Sequence, residues 1–210
     1  MSLPWPSIAA LTTFVLASLV LAMSPGPGVF YIVTRSLTQG RRSGLVSVAA
    51  MAVGNLVSGL LVAAGLTAIV AVSSVFFDIL RYAGAAYLVY LGVRMMLVRP
   101  RGAGSASSLP TSARVFLDGL MVALLNPKTL VFFAAFLPQF MDAGEPTLLQ
   151  GSLLVSLFVL IAFVTDSCYA LAAGWIAAPL QRSERTQTVG RLLGGGFLVA
   201  LGIVAVLSKP

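Results

Sequence analysis

The chain has 210 residues, 59% of them hydrophobic and only 9% charged, with 13 lysines and arginines against 6 acidic residues and no histidine; its mean hydropathy is +1.01. No water-soluble domain of this size stays folded and dispersed with that composition, so the chain reads as an integral membrane protein whose net charge of +7 sets orientation and is not a nucleic-acid surface. With no imidazole and a lone cysteine, Cys168, it offers neither an intrachain disulfide nor a zinc or Ser/His catalytic site.

The first apolar stretch, Ile8 to Met23, lacks the basic segment of a signal peptide and is followed by further spans, so a retained helix is expected. At about 20 apolar residues per crossing, helical spans are predicted at 7–34, 44–72, 80–99, 116–140, 148–178 and 190–207. Their connections sort by charge. Arg35, Arg41 and Arg42 lie around the first, Arg94, Arg99, Arg101 and Arg114 around the third, and Arg182, Arg185 and Arg191 around the fifth. The other side carries Asp78, Asp142 and Glu145, with Arg81 and Lys209 at span ends. The positive-inside rule then puts the odd-numbered loops in the cytoplasm and both termini outside.

Two spans are interrupted by proline. In the first, Ser24-Pro25-Gly26-Pro27-Gly28 removes two backbone donors and supplies two glycines, so the helix should unwind there. In the fourth, Leu125-Asn126-Pro127-Lys128 repeats the logic and adds a charge. Freed backbone groups in hydrocarbon cost several kcal/mol each unless protein, water or ligand satisfies them, so each break should face a cavity. The half-helix starting near Gly28 points its positive end at that cavity, suiting a carboxylate, while the carbonyls ending the preceding half suit an ammonium. Lys128 falls near the middle of its span, where a charge costs at least ~2.5 kcal/mol. Asp166 in the fifth span is the matching carboxylate, and competition for it by a proton or a substrate ammonium would couple transport to protons. The alternatives are a lysine that snorkels or caps broken-helix carbonyls, and an aspartate bonded to Thr165 or Ser167. Asn55, Tyr31 and Tyr87 are pathway candidates, although Asn55 equally suits an interhelical hydrogen bond and the tyrosines equally suit packing. Asp118 is expected to pair locally with Arg114, one turn before it.

The two halves repeat each other. Arg81, Gly84, Leu88, Val89, Leu91 and Gly92 of the third span align without gaps on the identical residues Arg191, Gly194, Leu198, Val199, Leu201 and Gly202 of the sixth, and Pro25 aligns on Pro127. With an odd number of spans per half, the halves enter the membrane from opposite sides as inverted repeats. The expected organisation is a first three-helix repeat over 1–99, a cytoplasmic linker over 100–114 and a second repeat over 115–210. The glycines permit close helix approach within one subunit or between the two of a homodimer.

Across nearly its whole length the chain resembles the LysE/RhtB exporters of amino acids and their derivatives. The resemblance rests on Ser24-Pro25-Gly26-Pro27 with Gly40-Arg41-Arg42-Ser43-Gly44, on Tyr82-Ala83-Gly84-Ala85-Ala86-Tyr87-Leu88 with Leu91-Gly92, and on Leu125-Asn126-Pro127-Lys128 with Phe132-Phe133 and Leu137-Pro138-Gln139-Phe140. Family members often carry asparagine where this chain has Gly28, and many have a histidine in the second span that it lacks. The resemblance implies an all-α, six-span exporter of the bacterial inner membrane, driven by the proton gradient. The expected reading is therefore a proton-coupled amino-acid antiporter, not an enzyme, with no cofactor or metal. Its candidate substrate site is Ser24, Pro25, Gly26, Pro27, Gly28, Asn126, Pro127 and Lys128, with Asp166 and Lys128 coupling protons. Export of another small amphiphile or cation, and a non-transporting membrane scaffold, are the alternatives.

Overall fold

A computed structural model describes residues 6–66, 74–97, 111–141, 147–180 and 184–207. Within them the chain is helical, with no strand. The order is α1 (Ile8–Met23), α2 (Pro27–Gln39), α3 (Arg41–Leu61) running on into a π-turn (Val62–Leu66), α4 (Ser74–Leu97), α5 (Ser112–Leu124), α6 (Pro127–Phe136) ending in a 3-10 turn (Leu137–Phe140), α7 (Thr147–Leu180) and α8 (Glu184–Leu207). Of the expected linker over 100–114, all but the start of α5 lies outside the described residues, as do Arg99, Arg101, Asp142, Glu145, Arg182 and Lys209.

Local chemistry sets the helix ends. Ser7 caps α1 by accepting from the Ala10 amide at 3.3 Å, and Thr111 caps α5 by accepting from the Arg114 amide at 3.4 Å. Gly40 stands between α2 and α3 with φ 86, a left-handed conformation open to glycine. It lets the chain reverse with no intervening loop.

Among the described residues, three stretches are long and apolar enough to cross a membrane: Arg41–Gly65, Leu148–Ala177 and Thr188–Leu207. Counting each bent pair as one span, α1 with α2 (bent 49°) and α5 with α6 (bent 46°), raises the number to five. The remaining expected span, 80–99, corresponds to α4, which carries Asp78, Arg81 and Arg94 and is not among these five. Large apolar side chains such as Leu16, Val20, Leu160, Val164 and Leu193 point outward. That surface is suited to lipid and far exceeds what a water-soluble monomer exposes.

Close antiparallel helix pairs build the interior. The most extensive contacts join α4 to α8 and α3 to α7. Glycines set the distance: a Cβ on Gly92 would stand 2.4 Å from the Gly195 carbonyl oxygen, and one on Gly195 would stand 2.6 Å from that of Gly92. On α3, a Cβ on Gly54 would lie 2.4 Å from Ala123 of α5. Two apolar clusters result, one around Phe14, Phe132, Phe133, Leu154 and Phe158, the other around Tyr31, Ile32, Val48, Met51, Leu88 and Leu198. They meet at the level of the two helix breaks.

Gly92→Val should therefore separate α4 from α8 and lower the thermal midpoint of the detergent-purified protein by several degrees. Gly196→Val, at a position where an added Cβ meets nothing within 4 Å, should leave it nearly unchanged.

Candidate functional site

The first break spans Ser24 to Gly26. Ser24 and Gly26 are extended (φ −73, ψ 118 and φ −148, ψ −175), and Pro27 occupies the first turn of α2. Three carbonyls at the end of α1 are taken by side chains from the second half of the chain. Lys128 Nζ donates to the Leu21 carbonyl at 2.8 Å and to the Ser24 carbonyl, and the Tyr169 hydroxyl donates to the Met23 carbonyl at 2.9 Å. The ammonium thus sits at the negative end of the α1 dipole, where a cation is favoured. The amides opening α2 are in the opposite condition. Pro27 has none, and no side chain caps those of the first turn.

The second break is shorter and self-capped. Asn126 is the N-cap of α6, its Oδ1 accepting from the Lys128 amide at 3.1 Å, and Pro127 follows as the first helical residue. Pro27 and Pro127 thus occupy the same helical position, so the structural counterpart of Pro127 is Pro27, where the sequence alignment pairs it with Pro25.

Both breaks open on one cavity of about 430 Å³, including its mouth. Gly26, Gly28, Asn126, Lys128, Thr129, Asn55 and Asp166 form its polar lining, and Leu21, Met51, Phe158 and Ala162 are among its apolar lining. Gly26 lets the lysine chain pass close: a Cβ there would lie 3.0 Å from Lys128 Cδ. Lys128 and Asp166 share the cavity, but Nζ bonds to α1 carbonyls, so the capping role is the one it performs. Asp166 is buried and has no hydrogen-bond or ion-pair partner among the described residues. Its neighbours do not satisfy it, since Thr165 donates to the Ile161 and Ala162 carbonyls and Ser167 to that of Phe163. Asn55 is 7% exposed, and its Oδ1 is buried without a partner among the described residues.

The remaining candidates lie elsewhere. Ser24 contributes only its carbonyl, to Lys128. Pro27 and Pro127 border a second, more apolar void with Arg81, Gly84 and Leu125, and Pro25 lines neither cavity. Tyr31 and Tyr87 belong to a buried ionic cluster. There Asp118 accepts from Arg35 at 2.7 Å, from Arg94 at 3.5 Å and from the Tyr87 hydroxyl at 3.2 Å, while the Tyr31 hydroxyl donates to the Val115 carbonyl at 2.9 Å beneath the Arg35 guanidinium. This corrects two expectations. Asp118 does not pair with Arg114, whose side chain is exposed on the first turn of α5, and Arg35 is a buried residue within α2, not a loop charge. Tyr169, Met51 and Phe158 had not been singled out. Tyr169 could have been, from its place one turn beyond Asp166 on the same face.

Against known proteins, residues 19–209 match the model of the LysE type translocator. The chain belongs to the LysE family. LysE members are translocators, so this is a translocator and not an enzyme. Among curated relatives of this LysE protein, the homoserine/homoserine lactone efflux protein of Salmonella typhimurium (strain LT2) is 32% identical over 195 residues, covering 91% of this chain and 94% of that one. The leucine efflux protein of Klebsiella pneumoniae subsp. pneumoniae is 28% identical over 200 residues, covering 93% of each. No solved structure matches.

Removing the Asp118 carboxylate leaves Arg35 buried and unpaired, which costs about 3–5 kcal/mol. Asp118→Asn should accordingly lower the thermal midpoint markedly. Arg94→Gln, at the longer and more exposed contact, should lower it much less.

Proposed function

We propose that this LysE translocator exports an amino acid or a close derivative across the bacterial inner membrane in exchange for protons. The observation that carries this reading is the cavity itself: two helix breaks, an ammonium and a carboxylate without a hydrogen-bond partner among the described residues, gathered on one void inside the helical bundle. Intramembrane ionisable groups at discontinuous helices are the usual signature of a substrate and coupling-ion site. The relatives support the substrate class, because their printed activities are efflux of homoserine, homoserine lactone and leucine.

The proton coupling runs through Asp166. Its carboxylate can hold a proton or receive a substrate ammonium, but not both, so loading the amino acid from the cytoplasm displaces the proton and a proton from outside displaces the amino acid. Lys128 keeps the end of α1 closed by capping its carbonyls and offers positive charge to a carboxylate.

The architecture proposed for this cycle is six spans in two inverted repeats, with α4 as the third span. Packing supports it: Gly92 on α4 approaches Gly195 and Val199 of α8, while Gly202 on α8 approaches Ala85 and Val89 of α4, the same contact with the aligned positions exchanged. Likewise Gly44 meets Ala170, and Gly151 meets Ala63, across α3 and α7. The orientation proposed is odd-numbered loops in the cytoplasm and termini outside. Arg41 and Arg42, exposed at the start of α3, and Arg114, exposed at the start of α5, favour it.

Proteoliposomes with an imposed pH gradient test the proposal. The intact protein should drive amino-acid flux down the gradient. Lys128→Met should reduce flux at least ~10-fold, the scale of a lost charged hydrogen bond. Asp166→Asn should abolish the response to the gradient; an unchanged proton dependence in that variant would reject the coupling role.

A further inference from the structure

Resting on the transport reading above, we infer that the cavity selects amino acids with an uncharged side chain, Asn55 and Asp166 receiving the α-ammonium while the start of α2 and Lys128 receive the α-carboxylate. The argument begins with which backbone groups remain open. An ammonium could in principle bond to the carbonyls of a broken helix, but those of Leu21, Met23 and Ser24 already accept from Lys128 and Tyr169. Among the described residues, the charged acceptor left on the cavity lining is the Asp166 carboxylate; Asn55, whose Oδ1 is buried without a partner, lines the same wall, and Ala22 and Thr129 add a carbonyl and a hydroxyl. The asparagine oxygen is the telling one, because a buried amide acceptor left unpaired is costly and rare.

Donors gather on the opposite wall. Gly28 and Val29 of α2 line the cavity, and their first-turn amides have neither an intrahelical acceptor nor a side-chain cap. Asn126 spends its oxygen on the Lys128 amide, which turns its Nδ2 toward Gly28. Lys128 adds charge. Donors from α2 and α6 therefore face acceptors from α3 and α7, and a zwitterion spans the gap with each end satisfied.

What is left for the side chain is largely apolar, Leu21, Met51, Phe158 and Ala162, with the uncharged Thr129 beside them. Among the described residues no second carboxylate or cation lines the cavity, so a lysine-type side chain enters without a counterion and an acidic one meets no second cation. Burying an unpaired charge there is heavily penalised.

The test uses the full chain in proteoliposomes, with leucine, threonine, homoserine, lysine, glutamate and leucine methyl ester as probes. Leucine, threonine or homoserine should be carried with kcat/KM at least ~10-fold above lysine, glutamate and the ester, the scale of one lost charged hydrogen bond. Lysine or glutamate carried as well as the neutral amino acids overturns the inference and leaves the transport reading intact, whereas no flux of any amino acid overturns the transport reading itself. Asn55→Leu should raise KM for the neutral substrate at least ~10-fold at unchanged thermal midpoint. Asn55→Asp, by adding a carboxylate to the acceptor wall, should raise lysine transport relative to leucine. A specificity ratio unmoved by Asn55→Asp, or an unaltered KM in Asn55→Leu, overturns the assignment.

Discussion

The contact on which the rest depends is the one between the Lys128 ammonium and the open carbonyls at the end of α1. A helix cannot stop inside hydrocarbon unless its last carbonyls find donors. Here the donors come from α6 and α7, the second half of the chain, so the break in the first half is stable only when the two halves are docked. The discontinuity, the docking of the halves and the burial of a cation are one arrangement, and each accounts for the expense of the others.

That arrangement decides the polarity of the cavity. With the Leu21, Met23 and Ser24 carbonyls engaged, the break offers the uncapped amides of α2, and the carboxylate facing them is that of Asp166 on α7, with Asn55 of α3 beside it. A second ionic cluster, Arg35 and Arg94 on Asp118, ties α2, α4 and α5 together at a separate level. It shares no residue with the cavity lining. One charged group of residues thus serves the site and the other holds the bundle, a division that the chemistry of the side chains alone does not announce.

How much of this was legible in the chain follows the range of the forces involved. Proline acts on its own turn, so both breaks could be read directly, and the long apolar runs marked the helices. Intramembrane charge is scarce enough that Lys128 and Asp166 stood out, and they do line one cavity. Partnership was harder. Whether Lys128 caps carbonyls or meets Asp166 depends on sub-helical rotation, and Asp118 was assigned to its near neighbour Arg114 because Arg35 lies 83 residues away and looked like a loop charge. Tyr31 and Tyr87 were read as pathway residues for want of that same partner. The equivalence of Pro27 with Pro127 was missed because the run Val29-Phe30-Tyr31 matches Val131-Phe132-Phe133 in a different register, and only capping geometry shows where each half-helix begins.

The central claim is that the two breaks enclose a hydrated pocket within a lipid-facing bundle, and thiol accessibility in membranes tests it most directly. In a Cys168→Ser background, cysteines at Met51 and Ala162, which are 2% and 5% exposed, should react with a small charged methanethiosulfonate and be protected by transported amino acid. A cysteine at Leu160, 60% exposed but facing lipid, should not react. Inert cavity positions beside a reactive Leu160 position would contradict the account.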